Sequence, residues 1–195
     1  AYGLSPEHRV SRFVEALTLM KKLWTEENFT FEGKFWQIEK ASLLPRPFQK
    51  PHPPVWFGAN SPAALKRAVK HGSGFIGAGS SSSGDFKSKV QTVLSALAEA
   101  KKDSADFMIG KRVYLAVDRD RERAAKRLRE WFGLFYGQAD LADRVAVWGS
   151  AEECVERLRE IVAAGARLLL LNPVFDMMEQ MEVLASEVVP RVTSS

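Results

Sequence analysis

A strand–loop–helix–strand–loop pattern over residues 55–81 constrains the fold of this chain more than any other stretch. Two short β-type runs, residues 55–57 and 74–76, flank a helix that begins at Ser61 and ends at Gly72. The loop after each run lies at the carboxyl end of a strand, which is where α/β folds bind their ligands. This stretch therefore predicts an α/β fold with a ligand site at one edge of its sheet.

The alternation of strands and helices continues along the rest of the chain. Periodic apolar positions, helix-capping residues and short apolar runs mark each element. The other predicted elements are helices over residues 5–24, 85–102, 118–132, 150–165 and 176–189, a β-hairpin over residues 29–38, strands over residues 111–117 and 167–171, and an ambiguous stretch, residues 133–148, with a short helix near residues 139–145. Such alternation implies a parallel sheet with right-handed crossovers. The sheet is predicted to have four parallel strands.

Four strands do not make a closed eight-stranded barrel, which usually needs about 250 residues. The sheet is therefore predicted either to be open or to lack strands that a longer chain would supply. A proline-rich segment leads into its first strand, and each proline fixes the backbone in an extended form. These prolines are Pro45, Pro47, Pro51, Pro53 and Pro54.

Three local patterns lead to expectations about burial and helix ends. The run over residues 167–171 is continuously apolar, which is typical of a parallel strand buried on both faces. Pro190 is expected to end the last helix before it. The first helix begins at Ser5 as its capping residue and is predicted to bury one face. That face consists of Val10, Phe13, Val14, Leu17, Met20 and Leu23.

Composition excludes several classes of protein. The chain has 195 residues, of which 46% are hydrophobic and 27% charged, as in ordinary globular domains. No apolar run approaches the roughly 20 residues that cross a bilayer, so no membrane partner is predicted. A net charge of +4 is too small to indicate nucleic-acid binding by itself. Cys154 is the single cysteine, so no internal disulfide can form and a cytoplasmic location is predicted.

The two loops that follow the first two strands are the candidate phosphate site. The first precedes a helix amino terminus, where free N–H groups and the helix dipole favour an anion. The second is rich in glycine and serine, which allow close backbone approach and hydroxyl donation. The candidate residues are Gly58, Ala59, Asn60 and Ser61 in the first loop and Gly77, Ala78, Gly79, Ser80 and Ser81 in the second. The alternative is that Ser61 only caps its helix and that the second loop is only a connection.

No other pattern in the chain predicts chemistry. Asp120 and Glu122 interrupt the basic residues over residues 119–129, and no aromatic platform lies beside them, which favours a solvated helix face over a nucleic-acid surface. The three histidines lack metal-ligand spacing, and His71 suits the end of a helix. Cys154 lies in a first helical turn, which could lower its pKa, but a packing role is favoured. No catalytic motif is present, so no residue is assigned a catalytic role.

Three stretches in this order resemble the luciferase-like monooxygenases, the family of bacterial luciferase and the coenzyme F420-dependent oxidoreductases. Together they span nearly the whole chain. They are an arginine/glutamate helix over residues 9–15 followed by Leu23 and Trp24, the hairpin FEGKFW over residues 31–36 with the proline-rich entry over residues 45–61, and a closing strand–helix unit with Trp148, Gly149, Ser150, Gly165 and residues 167–171.

The resemblance implies a (β/α)8 TIM barrel that binds reduced flavin or F420 at the carboxyl ends of its strands. This chain would be a single domain, residues 1–195, forming the carboxyl-terminal half to two-thirds of that barrel as four strand–helix units with a β-hairpin insertion. Its two candidate loops match the family's cofactor-phosphate positions. In the family, strands that would precede Ala1 supply much of the substrate pocket. The chain alone is therefore expected to be incomplete and inactive.

One departure from the family concerns the cofactor. Some F420 enzymes carry a lysine in the second loop, where this chain has Ser81, so FMN stays open beside F420. The expected function is an oxidoreductase or monooxygenase acting on a small organic molecule. Two alternatives remain: a non-enzymatic, truncated flavin-binding or partner-subunit module, and an open four-stranded domain that binds another phosphate. Free sheet edges predict that the chain forms a homo-oligomer or belongs to a longer polypeptide.

Overall fold

The computed structural model describes residues 6–193, in two compact units divided between Pro54 and Val55. The predicted cap Ser5 lies outside the described residues. The first unit contains a 3₁₀ turn, Pro6–His8, the helix α1 (Arg9–Thr25), and the strands β1 (Phe29–Glu32) and β2 (Gln37–Ala41). The two strands pair antiparallel, as the hairpin pattern predicts.

Helix α1 contacts the hairpin through a carboxylate. One oxygen of Glu15 accepts hydrogen bonds from the backbone N–H groups of Phe35 at 2.7 Å and Trp36 at 3.0 Å. The predicted buried face of α1 is wrong at its amino-terminal end, because Val10 and Phe13 are exposed while Leu17 is buried. A hairpin of two short strands is too small to cover a helix of 17 residues along its whole length.

The second unit alternates parallel strands with helices. Its elements are β3 (Trp56–Gly58), α2 (Pro62–His71), β4 (Gly74–Gly77), α3 (Ser83–Glu99), a 3₁₀ turn (Ser104–Asp106), β5 (Met108–Val117), α4 (Arg121–Tyr136), α5 (Leu141–Val145), β6 (Val147–Gly149), α6 (Ala151–Ala163), β7 (Leu168–Pro173), α7 (Met177–Val183), a π turn (Leu184–Val188) and α8 (Val189–Thr193). The α/β class with a parallel sheet is confirmed. The sheet has one strand more than predicted, since β6 begins at the end of the ambiguous stretch.

The strands form one parallel sheet of five members that does not close on itself within the described residues. The pairing order is β3, β4, β5 and β6, and β7 also pairs with β5. The predicted complete burial of the last strand is wrong, because Leu170 is 47% exposed. Strand β7 pairs only with β5 among the described strands, so it is an edge strand and its side chains are only partly covered.

The register of the strands defines two faces of this sheet. One face packs against helices α2, α3 and α6 around a buried apolar core that includes Phe75, Phe86 and Leu115. The other face is called the open face here. It carries Trp56, Gly58, Gly74, Ile76, Gly110, Arg112, Tyr114, Leu168, Leu170 and Asn172. Helix α4 covers the open face only near Tyr114 and Ala116.

The start of α6 agrees with the sequence, whereas the last helix does not end where it was expected to. Ser150 and Glu153 form the predicted capping box at the start of α6. The chain stays helical through Pro190 to the end of α8. A π turn precedes this proline, and the N–H of Val189 bonds to the carbonyl of Leu184. The wider π turn accommodates Pro190, which has no backbone N–H to donate and whose ring would clash with the preceding turn of a regular α-helix.

Candidate functional site

The structure brings both candidate loops to the same edge of the sheet. Strands β3 and β4 pair in parallel with Gly58 opposite Ile76, so the loops that follow them are neighbours. In the first loop, the Ser61 hydroxyl accepts a hydrogen bond from the N–H of Ala64 at 3.3 Å. Ser61 is thus the cap of α2, and the free N–H groups at the start of this ten-residue helix lie at the loop.

A lysine connects the first loop to the helix that follows the second. The Lys89 ammonium donates a hydrogen bond of 2.8 Å to the side-chain oxygen of Asn60. Lys89 belongs to α3, which begins directly after the second loop. The Asn60 side chain is therefore held in place, and a positive charge lies close to the proposed anion site.

The second loop is held in shape by its own serine. Ser81 is buried, and its N–H and hydroxyl both donate to the carbonyl of Ala78, at 3.1 Å and 2.8 Å. The hydroxyl of Ser81 is thus engaged within the loop. Gly79 and Ser80 form the tip of the loop between these two partners. The groups that can donate hydrogen bonds to a ligand are therefore mainly the backbone N–H groups of Gly79 and Ser80 and the Ser80 hydroxyl.

Lys111 of β5 donates hydrogen bonds to the second loop. Its role there was not predicted from the sequence. Its ammonium donates to the carbonyl oxygens of Ala78 and Ser81, the latter at 2.9 Å, and lies 3.3 Å from the Ser81 hydroxyl. Burial, together with the charge of Lys89, lowers the pKa of Lys111 to about 8, against an opposing effect of Asp85. Strand alternation places Lys111 on the same face as Val113 and Leu115, a signal that could have identified it as buried.

The backbone of the second loop contacts an aromatic ring of β5. A Cβ added at Gly79 would lie 2.5 Å from the Tyr114 ring, so only glycine permits this approach. The Tyr114 hydroxyl is 2.8 Å from that of Tyr136 on α4. Burial, and then the bond to Tyr136, raises the pKa of Tyr114 to about 12. Tyr114 therefore remains protonated and joins the loop to α4.

The other residues considered from the sequence have structural roles. Arg123, Arg127 and Arg129 of α4 pair with Asp118, Asp176 and Asp143 respectively, as expected of a solvated charged face. The thiol of Cys154 is buried, and burial raises its pKa to about 12, which opposes thiolate chemistry.

Two further classes of site are absent from the part of the chain that the structure describes. Within residues 6–193, no three His, Cys, Asp or Glu side chains come together in a way that could hold a metal ion. None of the helices in that range combines the length and the apolar character needed to cross a membrane.

Comparison with known proteins identifies a family. The family model described as luciferase-like monooxygenase matches residues 1–168. An F420-dependent glucose-6-phosphate dehydrogenase of Nakamurella multipartita is 29% identical, and the match covers 95% of this chain and 61% of that protein. An FMNH2-dependent dimethylsulfone monooxygenase of Pseudomonas putida is 30% identical over 63% of this chain and 32% of its own length. The chain thus spans 61% of the dehydrogenase that it matches along nearly its whole length.

A solved structure shows the same fold. An F420-dependent secondary alcohol dehydrogenase, in complex with an F420-acetone adduct, superposes with a TM-score of 0.83 at 22% identity. The superposition covers 98% of this chain and 65% of that one. The five-stranded sheet described above therefore has the arrangement of part of a larger luciferase-like fold.

Proposed function

Because the chain belongs to the luciferase-like monooxygenase family, we propose that it forms the cofactor-phosphate-binding part of an oxidoreductase that uses FMN or coenzyme F420. Relatives named for each cofactor support this choice, since the names include F420-dependent dehydrogenases and an FMNH2-dependent monooxygenase. The substrate is a small organic molecule, and the location is cytoplasmic.

The observation that carries the proposal is the open space at Gly58. A Cβ added there would meet no atom within 4 Å, although the residue lies in the sheet and beside the amino terminus of α2. The neighbouring second loop adds backbone at Gly79 and Ser80. A phosphate needs several N–H donors and a positive field, and a helix start next to a glycine-lined space offers both. The residues present therefore fit the phosphate end of such a cofactor.

In this proposal each loop residue has a role in binding. The backbone N–H groups of residues 58–61 and of Gly79 and Ser80 donate to the phosphate, helped by the hydroxyls of Ser61 and Ser80. Lys111 and Ser81 keep the second loop in its binding shape. When bound, the cofactor would supply the redox chemistry, either hydride transfer or activation of dioxygen.

Titration of the protein with FMN and with F420, followed by cofactor fluorescence, tests the proposal. The substitution Gly58→Ala places a methyl group in the open space without a clash, so the fold should be unaffected. We expect the dissociation constant to rise about tenfold, which corresponds to about 1.4 kcal/mol. Gly84→Ala is the matched control, because a Cβ there meets only the Ser82 hydroxyl, at 3.9 Å, and the affinity should be unchanged.

Two results would contradict this function. If the protein binds neither cofactor, the role in an FMN- or F420-dependent enzyme is wrong. If it binds one of them and Gly58→Ala binds as tightly as the unmodified protein, the cofactor phosphate lies elsewhere and the two loops have no part in holding it.

A further inference from the structure

Lys111 is buried, and its ammonium group is directed at the second loop. The residue is only 2% exposed. The ammonium donates to the carbonyl oxygens of Ala78 and Ser81, and it lies 3.3 Å from the Ser81 hydroxyl. Its three N–H groups thus all face acceptors of the loop. Lys111 can therefore act on a ligand only through this loop and through its charge.

The peptide unit between Ala78 and Gly79 connects the ammonium group to the other side of the loop. This unit is trans and planar, so the N–H of Gly79 is antiparallel to the carbonyl of Ala78. Because the carbonyl faces Lys111, the N–H faces away from it. The same carbonyl also accepts from the N–H and the hydroxyl of Ser81. Several donors on one carbonyl polarise the peptide, which makes the Gly79 N–H a stronger donor.

The N–H of Gly79 has no acceptor among residues 6–193, although Gly79 is buried. A buried N–H without a partner costs free energy, and folded proteins rarely leave one. The second peptide that Lys111 contacts is different, because the N–H that follows Ser81 is that of Ser82, which bonds to the Asp85 carboxylate at 3.3 Å. Of these two N–H groups, only that of Gly79 remains for a ligand.

The charge of Lys111 is only weakly balanced by the protein. The charged groups that face it are Lys89 and Asp85, both on α3, and their effects on its pKa oppose each other. Its register partners on the adjacent strands, Gly77 of β4 and Leu169 of β7, carry no charge. An anion bound at the loop would stabilise the ammonium form. By reciprocity, the ammonium form would bind that anion more tightly than the neutral amine does.

We propose that Lys111 is a positioning residue for the cofactor phosphate, which turns the Gly79 N–H toward the phosphate and adds a positive charge behind the loop. The preference of the site for a phosphorylated flavin is then lost when Lys111 gives up its proton. The neutral amine keeps two N–H groups for the carbonyls of Ala78 and Ser81, so the loop keeps its shape and only the charge changes. This inference rests on the proposed function, because it concerns the regulation of the same site.

Carbon-detected NMR of the full chain with inorganic sulfate tests the inference without a cofactor. Sulfate resembles a phosphate group and keeps its charge between about pH 7 and about pH 10. At constant ionic strength, sulfate should raise the pKa of Lys111, measured from its Cε signal, and should shift the carbonyl carbon of Ala78. Lys87, an exposed lysine of α3, is the internal control, and its Cε signal should titrate identically with and without sulfate. An unchanged pKa of Lys111 would overturn the inference.

The affinities for FMN and for riboflavin, which lacks the phosphate, measure the effect on the cofactor. Their ratio cancels any titration of the shared flavin ring, and a phosphate monoester has its second pKa at about 6, so its charge is constant above about pH 7. We expect the ratio in favour of FMN to fall about tenfold between about pH 7 and about pH 10. Lys111→Met should show the smaller ratio at every pH. Lys87→Met should behave as the unmodified protein does.

The outcomes separate this inference from the proposed function. If the protein binds neither FMN nor F420, the function is wrong, and the sulfate titration still decides the inference. If FMN binds and its ratio to riboflavin does not change with pH, the function stands and the inference is overturned. The same holds if Lys111→Met shows the full decline of the ratio, because another group would then be titrating.

Discussion

Among the residues that the structure describes, Lys111 is a charged side chain that the fold buries almost completely. A buried ammonium group loses hydration, and here it is compensated by the carbonyl oxygens of Ala78 and Ser81. A neutral amine can still donate to both carbonyls, because it keeps two N–H groups. The second loop can therefore keep its shape after Lys111 loses its proton.

The lowered pKa of Lys111 predicts how stability depends on pH. The usual value of 10.5 falls to about 8 in the folded protein, so between these values the unfolded chain binds more protons than the folded one. Stability should thus rise with pH over this window and fall as the pH drops through 8. In urea unfolding, the free energy of unfolding of the unmodified protein should increase relative to Lys111→Met by up to about 3 kcal/mol between pH 8 and pH 10.5.

An exposed lysine provides the control for this measurement. Lys87→Met removes an exposed lysine from α3, and its free energy of unfolding should follow that of the unmodified protein at every pH. A constant difference between Lys111→Met and the unmodified protein over the same range would contradict the lowered pKa of Lys111.

Residue types predicted the place of the candidate site better than the role of each side chain. Glycine and serine after two strands placed both loops at one sheet edge, and the structure agrees. Whether a hydroxyl is available depends on neighbours that are distant in sequence. Ser81 is engaged by Ala78 and by Lys111, and Lys111 is 30 residues away. Its part in the site could not be read from the loop alone.

Among the elements, α7 is attached to the end of β5 by one side chain. Gln180 is buried, and its amide accepts from the N–H of Val117 at 2.8 Å and donates to the Val117 carbonyl at 2.9 Å. These are the backbone groups that a further strand would otherwise satisfy. The glutamine thus completes the hydrogen bonding of β5 where its strand partners end.

Replacing Gln180 should destabilise the second unit. Gln180→Leu keeps a similar volume but leaves the N–H and the carbonyl of the half-buried Val117 without their side-chain partner. We expect the free energy of unfolding to fall by about 2–4 kcal/mol in urea titration, because each unsatisfied buried group costs about 1–3 kcal/mol. Gln91→Leu, at an exposed position of α3, should change it by less than about 0.5 kcal/mol. Equal effects of the two substitutions would mean that water replaces the amide of Gln180.

Helices were predicted better than strand environments, and the reason is physical. A helix is specified by its own caps and periodicity, so the capping box at Ser150 located α6. Strand β6 has only three residues, too few for a pattern, and it was missed. The burial of β7 depends on how many strands pair with it. Its apolar sequence would be the same for an edge strand and for a central strand, so the sequence could not predict its exposure.

At the scale of the whole molecule, three strands of the parallel sheet have one edge without a partner among the described strands. Strand β3 pairs only with β4, and β6 and β7 each pair only with β5. Beside β7, an apolar groove of about 600 Å³ is lined by Val162 of α6, Leu169 and Leu171 of β7, and Val189 of α8. Unpaired edges next to apolar surface are the usual starting points of association between chains.

The 195-residue chain on its own should therefore self-associate. Light scattering after gel filtration should give a mass above the 21.8 kDa of one chain, and that mass should increase with concentration. Val162→Lys places a charge in the groove and should weaken association roughly tenfold. Leu134→Lys is the control, because it removes a more exposed apolar side chain from α4, and it should leave the mass unchanged. A monomer of constant mass at all concentrations would mean that the chain covers these edges itself.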